Sequence, residues 1–288
     1  MKSLRDMLSD ANARNVAIGH FNISDIAALR GVVAAARELN LPVLIGASEG
    51  EREFIGVRQV AAIVKSLREE FDHPIFLNAD HTHSLDKVRE AAEAGFDEIL
   101  FDGSALPLDE NIKQTAEAVK IVRSMHPEIV IEGEIGYIGA NSEVIDTKPE
   151  LTLSTSEEAV RFVNETGVDV LAPAVGNMHG LSKEMAAGTE HKRLDIERIK
   201  AIKAAIGGKF MTLHGGSGTA DEDFAAAAAA GMTIIHVSTE LRLAWRRGME
   251  SALAAKPNEI APYKLFPPVV QGIHDIVLNR LKLFNRMK

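Results

Sequence analysis

The sequence predicts an α/β fold, a single (β/α)8 (TIM) barrel with a C-terminal helical extension, and two observations carry that prediction. Eight short β-rich runs recur along the chain, each ending in a loop of polar or glycine residues and separated from the next by a segment of helical periodicity. Dividing 288 residues by 8 gives about 36 per unit, a size compatible with one barrel repeat.

After an amphipathic opening around Leu4 to Leu8, the runs are Val16 to Phe21, Pro42 to Ser48, Pro74 to His81, Glu98 to Ser104, Ile129 to Gly136, Asp169 to Val175, Phe210 to Gly215 and Thr233 to Thr239. Apolar residues at three and four spacing predict helices over Ile26–Leu39, Val57–Glu70, Leu85–Ala94, Glu110–Met125, Ser156–Glu165, Ile196–Ala205 and Asp221–Ala230. An open doubly wound sheet is the structural alternative, but no G-x-G-x-x-G follows the first run to support it. Two connections, Tyr137 to Thr155 and Gly176 to Leu194, are too long for plain turns and leave the barrel on one face. With no linker in sight, residues 1–288 are expected to form one domain. Its tail, 256–288, carries a helical stretch from Val269 to Phe284 that packs outside the barrel or on another subunit.

A net charge of -9 argues against a polyanion-binding surface, so nucleic acid is not an expected partner. No cysteine is present, so no disulfide can form and any metal must rest on His, Asp or Glu. No apolar stretch reaches the ~18 residues that cross a bilayer, and the opening Met-Lys-Ser-Leu-Arg-Asp has no signal-type run. A cytoplasmic protein with no membrane partner is the expectation.

The polar residues able to do chemistry gather at the carboxyl ends of the runs, the active face of such a barrel. His20 and Asn22 follow the first, Ser48 ends the second, Asp80 and His81 the third, and Asp102 lies in the fourth. Glu132 and Glu134 mark the fifth, Asn177 and His179 the sixth, His214 the seventh, and His236, Ser238 and Thr239 the eighth. Taken singly, each histidine is most simply a hydrogen-bonded polar residue. Jointly, His81, His179 and His214 make a trio suited to Zn2+ with an open position, and Asp102 and Glu134 can serve as partners or alternative ligands. The glycines of His214-Gly-Gly-Ser-Gly218, with Ser217, Ser238 and Thr239, suit a phosphate, which barrels often hold after strands seven and eight. A metal beside a phosphate pocket, with Asp80 as acid/base, fits aldol cleavage. A Schiff-base route needs a lysine at a strand end, whereas Lys209 precedes the seventh run and Lys183 lies in the loop after the sixth.

The chain resembles the class II, metal-dependent ketose-bisphosphate aldolases, which include fructose- and tagatose-bisphosphate aldolases. The motifs are Asp80-His81-x-x-Ser-Leu-Asp86, Phe101-Asp-Gly-Ser104 with Leu106-Pro107 and Glu110-Asn111, Glu132-Gly-Glu134-Ile-Gly136, Thr166-Gly-Val-Asp169, Gly176-Asn-Met-His-Gly180, Leu213-His-Gly-Gly-Ser-Gly218 and Ser238-Thr-Glu-Leu241. Their order and spacing are far more specific than any one of them. The resemblance implies zinc on His81, His179 and His214, with Asp102 and Glu134 near a second metal position, and Asp80 as acid/base. It implies phosphate on Gly180, Gly215, Ser217, Ser238 and Thr239, a monovalent cation held by backbone carbonyls beneath it, Lys183 in the matching loop, and a homodimer or homotetramer. Gly216, Asn22 and Ser48 complete the expected substrate-binding set.

Two departures bear on substrate choice. Where the family reads Lys-Ile-Asn, this chain reads Ile234-Ile-His236, which brings an imidazole able to bind substrate, move a proton or bind the metal. Where the family reads Gly-Gly-x-Glu-Asp, the loop after the fifth run reads Gly139-Ala-Asn-Ser142-Glu143, so a serine replaces the glutamate unless Glu143 shifts into its place. The expected function is therefore zinc-dependent cleavage of a phosphorylated ketose, fructose- or tagatose-bisphosphate-like, to dihydroxyacetone phosphate or a relative plus an aldehyde. The alternatives are a changed substrate, another sugar phosphate or a ketoacid, and a non-catalytic subunit that stabilises a partner.

Overall fold

A computed structural model describes residues 2–139, 142–146 and 150–287. Its eight strands are β1 (Ile18–Asn22), β2 (Val43–Ala47), β3 (Ile75–Thr82), β4 (Glu98–Phe101), β5 (Val130–Ile135), β6 (Val170–Pro173), β7 (Phe210–Leu213) and β8 (Ile234–Val237). All pair in parallel with their sequence neighbours, and β1 pairs with β8 to close the barrel in the order expected from the alternation. Around it run α1 (Leu4–Arg14), α2 (Ile26–Glu38), α3 (Glu49–Ile55), α4 (Val57–Phe71), α5 (Leu85–Ala94), α6 (Leu108–Met125), α7 (Ser156–Thr166), α8 (Lys183–Ala186), α9 (Ile196–Ala205), α10 (Asp221–Ala230), α11 (Thr239–Ala255), α12 (Pro262–Leu265) and α13 (Pro267–Phe284).

Side chains alternate across a strand, so every second residue climbs the barrel interior. The lowest layer is apolar: Ile18, Leu44, Phe76, Val130, Val170 and Ile234 form one buried cluster that Leu4 and Leu8 of α1 plug from below. Two residues higher the layer turns polar, with His20, Asn78, Glu98, Glu132, Thr212 and His236 all buried. Two higher again lie Asn22, Asp80, Glu134 and His214. The interior thus grades from oil to ionisable groups within about four residues of rise, roughly 13 Å at ~3.3 Å each.

Outward residues pack a second core between sheet and helices, where Phe21, Phe96, Phe101, Phe162 and Phe224 are fully buried. The C-terminal tail closes onto this shell, since α13 packs against α2 and α11 and Ala17 N–H donates to the Phe284 carbonyl at 3.1 Å. Two differences from the sequence reading are instructive. Thr239 is the first residue of α11, not the end of a strand, so β8 hands its polar residues directly to a helix N-terminus. The loop after β2 holds α3, whose run Glu-Gly-Glu-Arg-Glu-Phe-Ile is too polar to display an apolar stripe.

Candidate active site

Adjacent strand residues normally point to opposite faces, yet Asp80 and His81 both face the barrel mouth. A bulge accounts for this. Ala79 pairs with Ile99 and Thr82 with Phe101, so β3 carries one more residue than β4 over the same span, and His81 adopts a φ of 43°. Buried Arg52 holds the distorted segment, donating to the carbonyls of Ala47 at 2.5 Å and Asp80 at 3.0 Å and to Thr82 Oγ1 at 3.1 Å.

The bulge brings His81 to His179, from the loop after β6, and His214, at the end of β7, with ring centroids 4.8, 4.9 and 5.9 Å apart. One ligand nitrogen from each lies within 4.8 Å of the others. Acidic side chains occupy the other nitrogens of two rings: His81 Nδ1 lies 2.7 Å from Asp102 Oδ2, and His214 Nε2 lies 2.7 Å from Glu132 Oε1. His214 Nδ1, His179 Nε2 and Glu134 Oε2 are buried with no hydrogen-bond partner. Buried polar atoms rarely go unpaired, and two imidazole nitrogens left so within the His81, His179 and His214 group, backed by carboxylates that orient the rings, fit a divalent cation. His81, Asp102 and Glu134 make a second such group alongside. Burial and then Asp102 push the Glu134 carboxyl up to about 8, and burial and then Asp80 do the same to Glu132.

Asp80 Oδ2 accepts from Asn22 Nδ2 at 2.8 Å, and Oδ1 lies 3.5 Å from His236 Nδ1 with no hydrogen bond of normal geometry. Burial alone would raise this carboxyl, but His81 and then His236 outweigh it and hold it well below the ordinary carboxylate value. His236 stands where it does because it pairs with His20 across β1 and β8, so the two rings stack at 3.4 Å. Position 46 on β2 must be glycine for the same reason: a Cβ there would meet His20 Cε1 at 2.0 Å.

Beside the imidazoles, a small cavity is lined by Gly180, Gly215, Ser217, Ser238 and Thr239, at the N-terminus of α11. Ser217 Oγ accepts from the N–H groups of Ser238 and Glu240, both at 3.2 Å, while Ser238 Oγ is buried without a partner. A helix N-terminus with hydroxyls and close backbone suits an anion. Ser48 caps α3 through Glu51 and, with Glu143, Asp80 and His81, lines a wider cavity in front. Ser142 lines both cavities, its Oγ 3.5 Å from His179 Nδ1. Ala140 and Asn141, in the same loop motif, lie outside the described residues.

Two expected substrate-binding residues are not brought to the cavity. Gly216 N–H donates to the His236 carbonyl at 2.9 Å, so it is unavailable to an anion. Lys183 is 74% exposed and pairs with Asp146 at 2.8 Å, because it starts α8 on the outer side of its loop. The lysine that does line the cavity is Lys192, nine residues on, which the sequence reading passed over. Only its lack of any helical or strand pattern to explain it could have flagged it.

Fold and site together define a (β/α)8 barrel with a candidate metal centre at its mouth, and comparison with known proteins supplies the class. The family model of class-II fructose-bisphosphate aldolases matches residues 2–288. The chain is 30% identical over 285 residues to the fructose-bisphosphate aldolase of Geobacillus stearothermophilus, covering 98% of this chain and 96% of the relative. It is 31% identical over 281 residues to the 6-phospho-5-dehydro-2-deoxy-D-gluconate aldolase of Shouchella clausii, covering 96% and 92%. Among solved structures, the YdjI aldolase of Escherichia coli K12 superposes with a TM-score of 0.82 at 28% identity, covering 98% of this chain and 96% of that one. The chain belongs to the class-II fructose-bisphosphate aldolase family and is an aldehyde-lyase of the metal-dependent type.

Proposed function

We propose that the protein is a zinc-dependent aldolase that reversibly cleaves a phosphorylated ketose, fructose- or tagatose-bisphosphate-like, to dihydroxyacetone phosphate or a close relative and an aldehyde. The observation that carries this reading is the convergence of His81, His179 and His214 on one point beside Asp80. A zinc ion held there by the three imidazoles would supply Lewis acidity to the ketose oxygens, and Asp102 and Glu134 would partner it in a shifted position. Asp80, kept ionised, takes the proton from the substrate hydroxyl as the carbon–carbon bond breaks and returns it in the synthetic direction. Asn22 fixes Oδ2, and Oδ1, which makes no hydrogen bond, is left for the substrate hydroxyl. Gly180, Gly215, Ser217, Ser238 and Thr239 hold the phosphate end. His236 orients Asp80 and contacts the ketose, and Glu143, at the front cavity, assists proton transfer to the cleaved fragment.

We further take the chain as one domain that acts in the cytoplasm as a homodimer or homotetramer. The test is cleavage by zinc-loaded protein, with and without chelator, of fructose and tagatose bisphosphates and of singly phosphorylated ketoses, with triose phosphate trapped. Chelator-sensitive cleavage of a phosphorylated ketose with release of triose phosphate is expected. Cleavage that persists in chelator overturns the metal, and no cleavage of any of these substrates by folded, zinc-loaded protein overturns the reaction.

A further inference from the structure

Lys192 is 4% exposed, yet its side chain runs inward and ends on two backbone carbonyls, Met178 at 2.6 Å and Gly215 at 3.0 Å. Those carbonyls belong to the residues next to His179 and His214, one on each loop that frames the anion cavity, and Lys192 lines that cavity with them. The approach of the two loops is close. A Cβ on residue 215 would sit 2.3 Å from the Met178 oxygen, so glycine is required for the carbonyls to converge. The Lys192 backbone is itself clamped, its N–H donating to Gly218 O at 2.8 Å and its carbonyl accepting from Ala220 N–H at 3.1 Å. The ammonium is therefore fixed at both ends of its side chain. Burial lowers its pKa to about 7, against the pull of Glu240, but two carbonyl dipoles aimed at the nitrogen favour the charged form.

A free monovalent cation does not fit this chain, because the converging carbonyls already have a cation. We infer that the Lys192 ammonium is a tethered counter-ion beneath the substrate phosphate, taking the place of the free monovalent cation that the family resemblance implies. This rests on the reading of the Gly180, Gly215, Ser217 and Ser238 cavity as the phosphate site. A covalently held cation needs no recruitment from solution, and it couples phosphate binding to the spacing of the His179 and His214 loops.

The experiment measures binding of inorganic phosphate to the zinc-loaded protein by calorimetry in tetramethylammonium buffer, with K+ or NH4+ then exchanged in at constant ionic strength. Wild-type affinity is expected to change less than twofold on exchange. K192A is expected to bind phosphate at least tenfold more weakly in tetramethylammonium and to recover several-fold in NH4+ or K+, because the truncation leaves room between the carbonyls. K192M, which fills that room with a neutral chain, is expected to lose affinity without recovery. A several-fold gain by wild type in K+ or NH4+ overturns the tethered counter-ion, as does undiminished phosphate binding by K192M; the wild-type arm decides even if both variants fail to fold. No phosphate binding by wild type in any salt overturns the phosphate site itself, and the inference with it.

Discussion

Asp80 and His214 lie in the same buried cluster, yet the proposed roles separate them sharply. Asp80→Ala removes the group that moves the proton but none of the three imidazoles, so zinc content should stay near one per chain while kcat falls by about 10²–10⁴-fold. His214→Ala removes a ligand and also leaves Glu132 Oε1 without its 2.7 Å partner, so zinc content should fall along with activity. Measuring metal content and turnover on the same preparations checks both. Intact turnover in the Asp80 variant would end its assignment as acid/base. At this scale the sequence was partly legible. Strand-end polar residues stand out because they interrupt buried runs, but Lys192 reaches carbonyls 14 and 23 residues away, a tertiary fact that no periodicity encodes.

Among the elements, the end of β3 depends most on one side chain. Arg52→Met should strip the carbonyls of Ala47 and Asp80 of their guanidinium donor, at about 1–3 kcal/mol, and lower the denaturation midpoint. At the opposite end of the barrel, Asp169 accepts from Arg5 of α1 at 2.8 and 3.0 Å, from Arg123 of α6 and from Ile131 N–H at 3.0 Å. Burial opposes the charge, but the hydrogen bonds from Arg5 and Arg123 outweigh it and depress the carboxyl pKa. Asp169→Asn should cost about 1–3 kcal/mol near neutral pH, discounted because Arg5 is partly exposed. Since the folded pKa lies below the unfolded value of about 3.9, that stability is complete above it and is lost as pH falls through the folded pKa. The gap in unfolding free energy between wild type and variant should therefore narrow below about pH 4, which denaturant titrations at several pH values would reveal. A constant gap would remove the ion-pair explanation. Strands and most helices were legible from alternation, whereas α3 was hidden by its charge and the bulge by the absence of any glycine or proline within β3.

For the whole molecule, three ligands from separate βα units tie the mouth of the barrel together when a metal is bound. A metal that binds only the folded chain at a thousandfold excess over its Kd stabilises by about 4 kcal/mol. Chelation should accordingly lower Tm by roughly 6–12 °C, and calorimetry of zinc-loaded and metal-stripped protein would measure it. Equal Tm values would mean that the histidines do not share an ion. The barrel itself was legible because strict alternation of runs and helices leaves few topologies open. Membership of the family adds activity class but not the sugar, which the substitutions at Ser142 and His236 leave to the cavity.

The bulge in β3 also limits what can be transplanted. Copying an aspartate–histidine pair into a regular strand of another barrel would send the imidazole out among the helices, whatever the sequence match. The transferable part would be larger: the extra residue, the left-handed turn at the histidine, and an arginine from α3, the short helix after β2, to hold the displaced carbonyls. Designers who borrow the two chemical groups alone would inherit the motif and lose the geometry.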